Sequence, residues 1–212
     1  MNSSNIDKLE NATAENKPVK VGIIIASTRP GRVGLSVGQW VSERAAEHAG
    51  FEVKVLDLAE INLPFMDEPN HPRLRQYIHQ HTKDWSAAID DLDAFVFVHP
   101  EYNYGMTAPL KNALDYLNQE WQYKPVGLVS YGGLSGGTRA AQMIKQVVTT
   151  LKMMPLTEAV AIPFVNQYLD DEQRFQPTES MENSLEMMFK ELGRWAVALQ
   201  SMRTTVKQPV AV

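Results

Sequence analysis

Five short apolar runs, separated by segments whose apolar residues recur at helical spacing, leave few folds open to this chain. Val21 to Ala26 (VGIIIA) is continuous and rich in β-branched residues, the pattern of a strand covered on both faces of a parallel sheet. Phe51 to Leu58 (FEVKVLDL) alternates in its first half, as an edge strand with one more exposed face does. Ala94 to Val98 (AFVFV) reads as the central strand, Pro125 to Ser130 (PVGLVS) as the fourth and Ala159 to Val165 as the fifth. Between them, Val33, Val37, Trp40, Val41, Ala45 and Ala49 predict a first helix, closed by Gly50 in a left-handed cap. Leu74, Tyr77, Ile78, His81, Trp85, Ala88 and Leu92 predict a second. A third runs from about Thr107 to Leu117, with Pro109 in its first turn, where the N–H it lacks would be unpaired anyway. Ala140, Met143, Ile144, Val147, Val148 and Leu151 line a fourth, and Leu185, Met188, Phe189, Leu192, Ala196 and Leu199 face inward from the last. Such alternation with right-handed crossovers predicts an α/β fold, a doubly wound parallel sheet with helices on both faces. Ligands of these sheets bind at the carboxyl ends of the strands, so the loops after strands one, three and four are where chemistry is expected.

The first 18 residues are polar, with no apolar core of signal-peptide length and no Arg, and read as a disordered tail rather than a secretory or transit segment. Residues 19–206 are expected to form a single domain, followed by a short tail at 207–212. No apolar run approaches a membrane span, and a net charge of -5 supplies no basic face for nucleic acid or anionic lipid. The chain has no cysteine, so thiol chemistry and thiolate metal sites are excluded; this suits a reducing cytoplasm. Any redox chemistry must come from a cofactor.

The loop after strand one, Ser27 to Gly34 (STRPGRVG), brings two hydroxyls, two arginines and two glycines to a helix entry, a setting for a phosphate. Neither the G-x-G-x-x-G of dinucleotide folds nor the G-K-[ST] of a P-loop is present, and Asp57 then reads as a plain strand-end carboxylate. After strand four, Gly133 to Gly137 matches G-x-S-x-G, yet all five histidines lie upstream of Ser135, where a hydrolase triad has no use for them. His79 and His81 are expected on diverging faces of the second helix, with no third ligand nearby, so no metal site is read there. After strand three stands HPEYNYG, a proline, a carboxylate, an asparagine, a glycine and two tyrosines crowded at the end of a buried strand.

Taken together, STRPGR, PEYNYGMTAPLKNALDYL and SYGGLSGG, in that order at those strand ends, resemble the NADPH-dependent FMN reductase family, which includes quinone and azo-dye reductases. The resemblance runs from Val19 to about Met202 and implies a flavodoxin-like sheet of order 2-1-3-4-5 with bound FMN, NADPH as co-substrate, a small-molecule electron acceptor, and a homodimer or dimer of dimers. It places Ser27, Thr28, Arg29 and Arg32 on the phosphate loop, with backbone from Val33 to Gly34. Pro100, Glu101, Tyr102, Asn103 and Tyr104 fall beside the isoalloxazine, and Ser130, Tyr131, Gly132 and Gly133 at its other edge. Many members carry a Ser, and two residues later an Asn, just past the arginine, where this chain reads GRVGLS; Arg32 and the backbone are expected to substitute. Hydride transfer through a flavin requires positioning and electronic tuning from the protein, so no catalytic residue is expected. A carrier that holds FMN without turning over NADPH is the competing reading.

Overall fold

The computed structural model describes residues 17–206, so positions 1–16 of the expected 1–18 tail and the expected tail at 207–212 lie outside the described residues. Five strands, β1 (Val19–Ile25), β2 (Phe51–Asp57), β3 (Ala94–Pro100), β4 (Pro125–Tyr131) and β5 (Met154–Ile162), form one parallel sheet of order β2-β1-β3-β4-β5. Every residue of β3 and β4 is buried, which explains their unbroken apolar runs; β2, at the edge, is exposed in its middle.

The helices are α1 (Gly34–Glu47), the single turn α2 (Leu58–Ile61), α3 (Gln80–Asp90), α4 (Ala108–Asp115), α5 (Thr138–Thr150), α6 (Glu179–Ala198) and α7 (Gln200–Val206). Alternate residues of each inner strand feed two cores. Val21, Ile23, Val96 and Val98 pack with Val37, Trp40 and Val41 of α1 and Leu185, Phe189 and Leu192 of α6. Ile24, Phe95 and Phe97 pack with Trp85 and Ile89 of α3, Leu110 and Leu114 of α4 and Ile144 and Val148 of α5. After β1 the chain therefore leaves toward one face, and after β3 toward the other. That divergence opens a crevice at the carboxyl ends of two neighbouring strands. At the opposite end, Lys17 to Lys20 and Gln200 and Arg203 line one shallow groove, with Arg203 bonded to the Tyr123 carbonyl and to Asp93.

Several local expectations are corrected. Gly50 does not cap α1 in a left-handed conformation: the helix ends at Glu47, and His48 turns to extended backbone and stacks on Phe51. The second predicted helix starts late, at Gln80. Arg75 is left-handed at φ 50°, and the Glu68 carboxylate takes the N–H groups of Ile78 and His79, leaving Leu74 and Ile78 exposed outside any α-helix. His79 is consequently the extended residue before α3, and its ring stacks parallel on His81 at 5.2 Å rather than diverging from it. Met143 lies on the exposed side of α5, and Leu199 is only half-buried. The fifth strand begins at Met154 and stops at Ile162, three residues before the expected end, because Pro163 and a left-handed Phe164 turn the chain away.

Candidate functional site

The crevice is a cleft of about 420 Å³ built from four loops. From the β1 loop it takes Ser27, Arg29, Gly31, Arg32 and Val33; from the β3 loop Pro100, Glu101 and Tyr102; from the β4 loop Tyr131, Gly132 and Gly133. The fourth contribution, Phe164 to Gln167, follows β5.

The β1 loop turns at Gly31, whose φ of 69° suits glycine, and closes with a bond from Arg32 N–H to the Arg29 carbonyl. Register places Asp57 of β2 opposite Ile25, next to this turn. Both Nη atoms of Arg32 bond the two Asp57 oxygens at 2.5 Å, and Nη1 also bonds the Ser27 carbonyl at 2.7 Å. Burial pushes the Asp57 carboxyl up, but the Arg32 fork and the Ala59 N–H outweigh it and hold the group below the ordinary carboxylate range. Asp57 is thus the anchor of the loop, a role its position in the sequence does not reveal, and Arg32 is a strut whose donors are directed at protein. Arg29 stays exposed beside the cleft. α1 then begins at Gly34 on an apolar N-cap, Val33, with no side-chain cap and no acidic residue in its first turn. Such an end is left for an anion.

In the β3 loop, Tyr102 and Gly105 exchange both backbone bonds across a two-residue turn, with Asn103 at φ 49° and Tyr104 at φ 71°. Two left-handed central residues make this a type I′ hairpin turn. Tyr102 Oη lies 3.0 Å from Ser27 Oγ, joining the β3 and β1 loops. Tyr104 points out of the cleft, and the Arg139 guanidinium lies 3.7 Å from its ring centre. The Glu101 side chain, only 5% exposed, serves the loop rather than the cleft, accepting from Arg139 Nε at 2.6 Å and from the Arg139 backbone N–H at 3.1 Å. Burial raises the Glu101 carboxyl, and the hydrogen bonds from Arg139 and Ser135 more than reverse this. The hairpin is thereby tied to the first turn of α5.

The β4 loop folds back on its own strand. Ser130 Oγ donates to the Gly136 carbonyl, and Gly137, at φ 81°, leaves no room for a side chain because a Cβ there would stand 2.8 Å from Tyr131 N. Ser135 of the G-x-S-x-G match contacts Gly137 N–H and Glu101, not a histidine. The carbonyls of Gly132 and Gly133 accept from Val165 and Phe164, which is how the β5 turn reaches the cleft. Sequence reading ran β5 through Val165 and missed these residues; Pro163 was the available signal. Among the sequence-expected residues, Thr28 faces a neighbouring cavity with Leu58, Phe65 and Pro109, while Gly34 and Ser130 lie buried behind the cleft wall and Asn103 sits in the exposed turn. Among the described residues, no group of three or more His, Cys, Asp or Glu is arranged to hold a metal ion.

A family model described as NADPH-dependent FMN reductase matches residues 19–167. An NAD(P)H-dependent FMN reductase from a Nectria species is 37% identical over 151 residues, 68% of this chain and 75% of that protein. Another, from Schizosaccharomyces pombe, is 40% identical over 148 residues, 68% of this chain and 74% of that protein. The solved structure of the Paracoccus denitrificans flavoenzyme FerB, an NAD(P)H:(acceptor) oxidoreductase, superposes with a TM-score of 0.68 at 16% identity, covering 85% of this chain and 98% of its own; that likeness concerns the fold.

Proposed function

Because the chain belongs to the NADPH-dependent FMN reductase family, we propose that it is an oxidoreductase that holds FMN in this cleft and carries two electrons from NADPH to a small acceptor, a quinone, an azo compound or free flavin, by a ping-pong cycle. One observation carries the reading: Val33, the uncapped amino end of α1, and Arg29 line the same cleft as Pro100 to Tyr102 and Tyr131 to Gly133. Phosphate and flat ring then have separate, adjoining places. The two carboxylates nearest the cleft are neutralised, Asp57 by Arg32 and Glu101 by Arg139, so neither repels an anion.

FMN supplies the hydride chemistry when bound; the protein's part is to hold and orient it. Arg29 and the first N–H groups of α1 would hold the phosphate. The backbone of the Glu101 hairpin and of Gly132 and Gly133 would flank the ring, and Tyr102 would contribute an apolar wall beside it. The Glu101–Arg139 pair keeps the two ring-flanking loops at fixed separation. Among the described residues, no helix is long and apolar enough to cross a membrane. The proposal extends to a single domain over residues 19–206 acting in the cytoplasm as a homodimer or dimer of dimers, and the exposed Tyr104, Leu134 and Phe164, on the loops after β3, β4 and β5, suit a partner subunit.

The test is direct. Purified protein reconstituted with FMN, mixed with NADPH and a quinone, is expected to deplete the nicotinamide absorbance band well above a free-FMN control. A rate equal to that control overturns the reductase and leaves the carrier.

A further inference from the structure

We infer that the hydroxyl of Tyr131 is a phosphate donor, through which this cleft distinguishes FMN from its dephosphorylated form; the inference rests on the FMN site proposed above. Tyr131 ends β4, and the simplest reading of its place is beside the flavin ring, on the loop after that strand. Its hydroxyl is elsewhere. A Cβ built on Gly34, the first residue of α1, would stand 2.3 Å from Tyr131 Oη and 3.3 Å from Ser27 Cβ. The ring crosses beneath the sheet's carboxyl edge, packed in the core on the α1 side, and delivers its oxygen to the start of that helix.

Three observations converge there. Tyr131 is 5% exposed and its Oη, beside the Ser27 hydroxyl, makes no well-formed hydrogen bond, although the residue lines the cleft. A buried hydroxyl in this condition is destabilising until an acceptor arrives. α1, 14 residues long, opens at that point without a side-chain cap or an acidic residue. The neighbouring side-chain donors are already engaged: Ser27 Oγ with Tyr102, and Arg32 with Asp57. Tyr131 is the buried donor without a well-formed bond, and an anionic oxygen at the helix end would be a stronger acceptor than the Ser27 hydroxyl beside it. Burial keeps this phenol protonated, so toward a phosphate it can only donate. The same geometry explains Gly34: any side chain there would displace the hydroxyl.

The experiment measures dissociation constants for FMN and for riboflavin by flavin fluorescence, with wild type, Tyr131→Phe and Gly34→Ala, each checked for an unchanged circular dichroism spectrum. Wild type is expected to prefer FMN. Tyr131→Phe, which keeps the ring and removes only the oxygen, should weaken FMN on the order of tenfold and leave riboflavin unchanged. Gly34→Ala should lose discrimination in the same direction. An unchanged FMN constant, or an equal loss for both flavins in Tyr131→Phe, overturns the inference while leaving the FMN site standing. Wild type that binds neither flavin overturns both.

Discussion

At the scale of single residues, the cleft is held by charges that the sequence scatters far apart. Arg32 and Asp57 are 25 positions apart and meet only because β1 and β2 pair in register. Their side chains are 14% and 5% exposed, so removing one partner strands the other in a poorly solvated place. Arg32→Ala is expected to lower stability by about 3 kcal/mol in urea denaturation near neutral pH. The pH dependence has a definite sign. Asp57 titrates below its ordinary 3.8 in the folded protein, so its contribution is complete above that value and fades as pH falls through the folded value. The gap between wild type and Arg32→Ala should therefore narrow in strong acid; a gap constant down to pH about 2 would refute the pairing. Motif reading found Arg32 and assigned it to the ligand, and set Asp57 aside. Neither role was visible until strand register brought them together.

The elements themselves were legible where burial dominates. β1, β3 and β4 are covered on both faces, and their continuous apolar runs announce them. Legibility failed where side-chain bonds override spacing: Leu74 and Ile78 continue the rhythm of α3 on paper, but Glu68 and the left-handed Arg75 end it before it starts. The hairpin after β3 is a similar case. NY is not a turn signal of the NG type, yet Asn103 and Tyr104 both adopt left-handed backbone, held by the Glu101–Arg139 tie and by Arg139 over the Tyr104 ring. A left-handed non-glycine residue costs about 1 kcal/mol, and an exposed cation over an aromatic ring returns a similar amount. Tyr104→Ala loses the second without relieving the first; Tyr104→Gly loses one and relieves the other. The glycine variant should be the more stable of the two by about 1 kcal/mol. Equal melting temperatures would contradict this account of the turn.

At the scale of the whole molecule, His99 is a buried titratable group that the cleft does not use. His99, fully buried on β3, points Nδ1 at the Pro100 carbonyl 3.3 Å away and leaves Nε2 without a partner. Burial lowers its pKa to about 4, against a weaker opposing contribution from the Pro100 carbonyl. The unfolded chain takes up a proton near 6.5 and the folded one does not, so stability is intact above 6.5 and is lost as pH falls toward 4. The loss amounts to on the order of 3 kcal/mol. Urea midpoints measured across this range should fall for wild type and much less for His99→Gln; parallel slopes would remove His99 from the explanation.

The topology has a practical corollary. All four cleft loops sit at the carboxyl ends of the strands, while Lys17 and Arg203 share a groove at the other end. A cargo protein, an affinity handle or an electrode linker joined at either of these residues is anchored at the end of the sheet opposite the crevice. The closeness of the two positions also makes them a natural seam for circular permutation, with new ends opened in an exposed surface turn and the crevice left as it is.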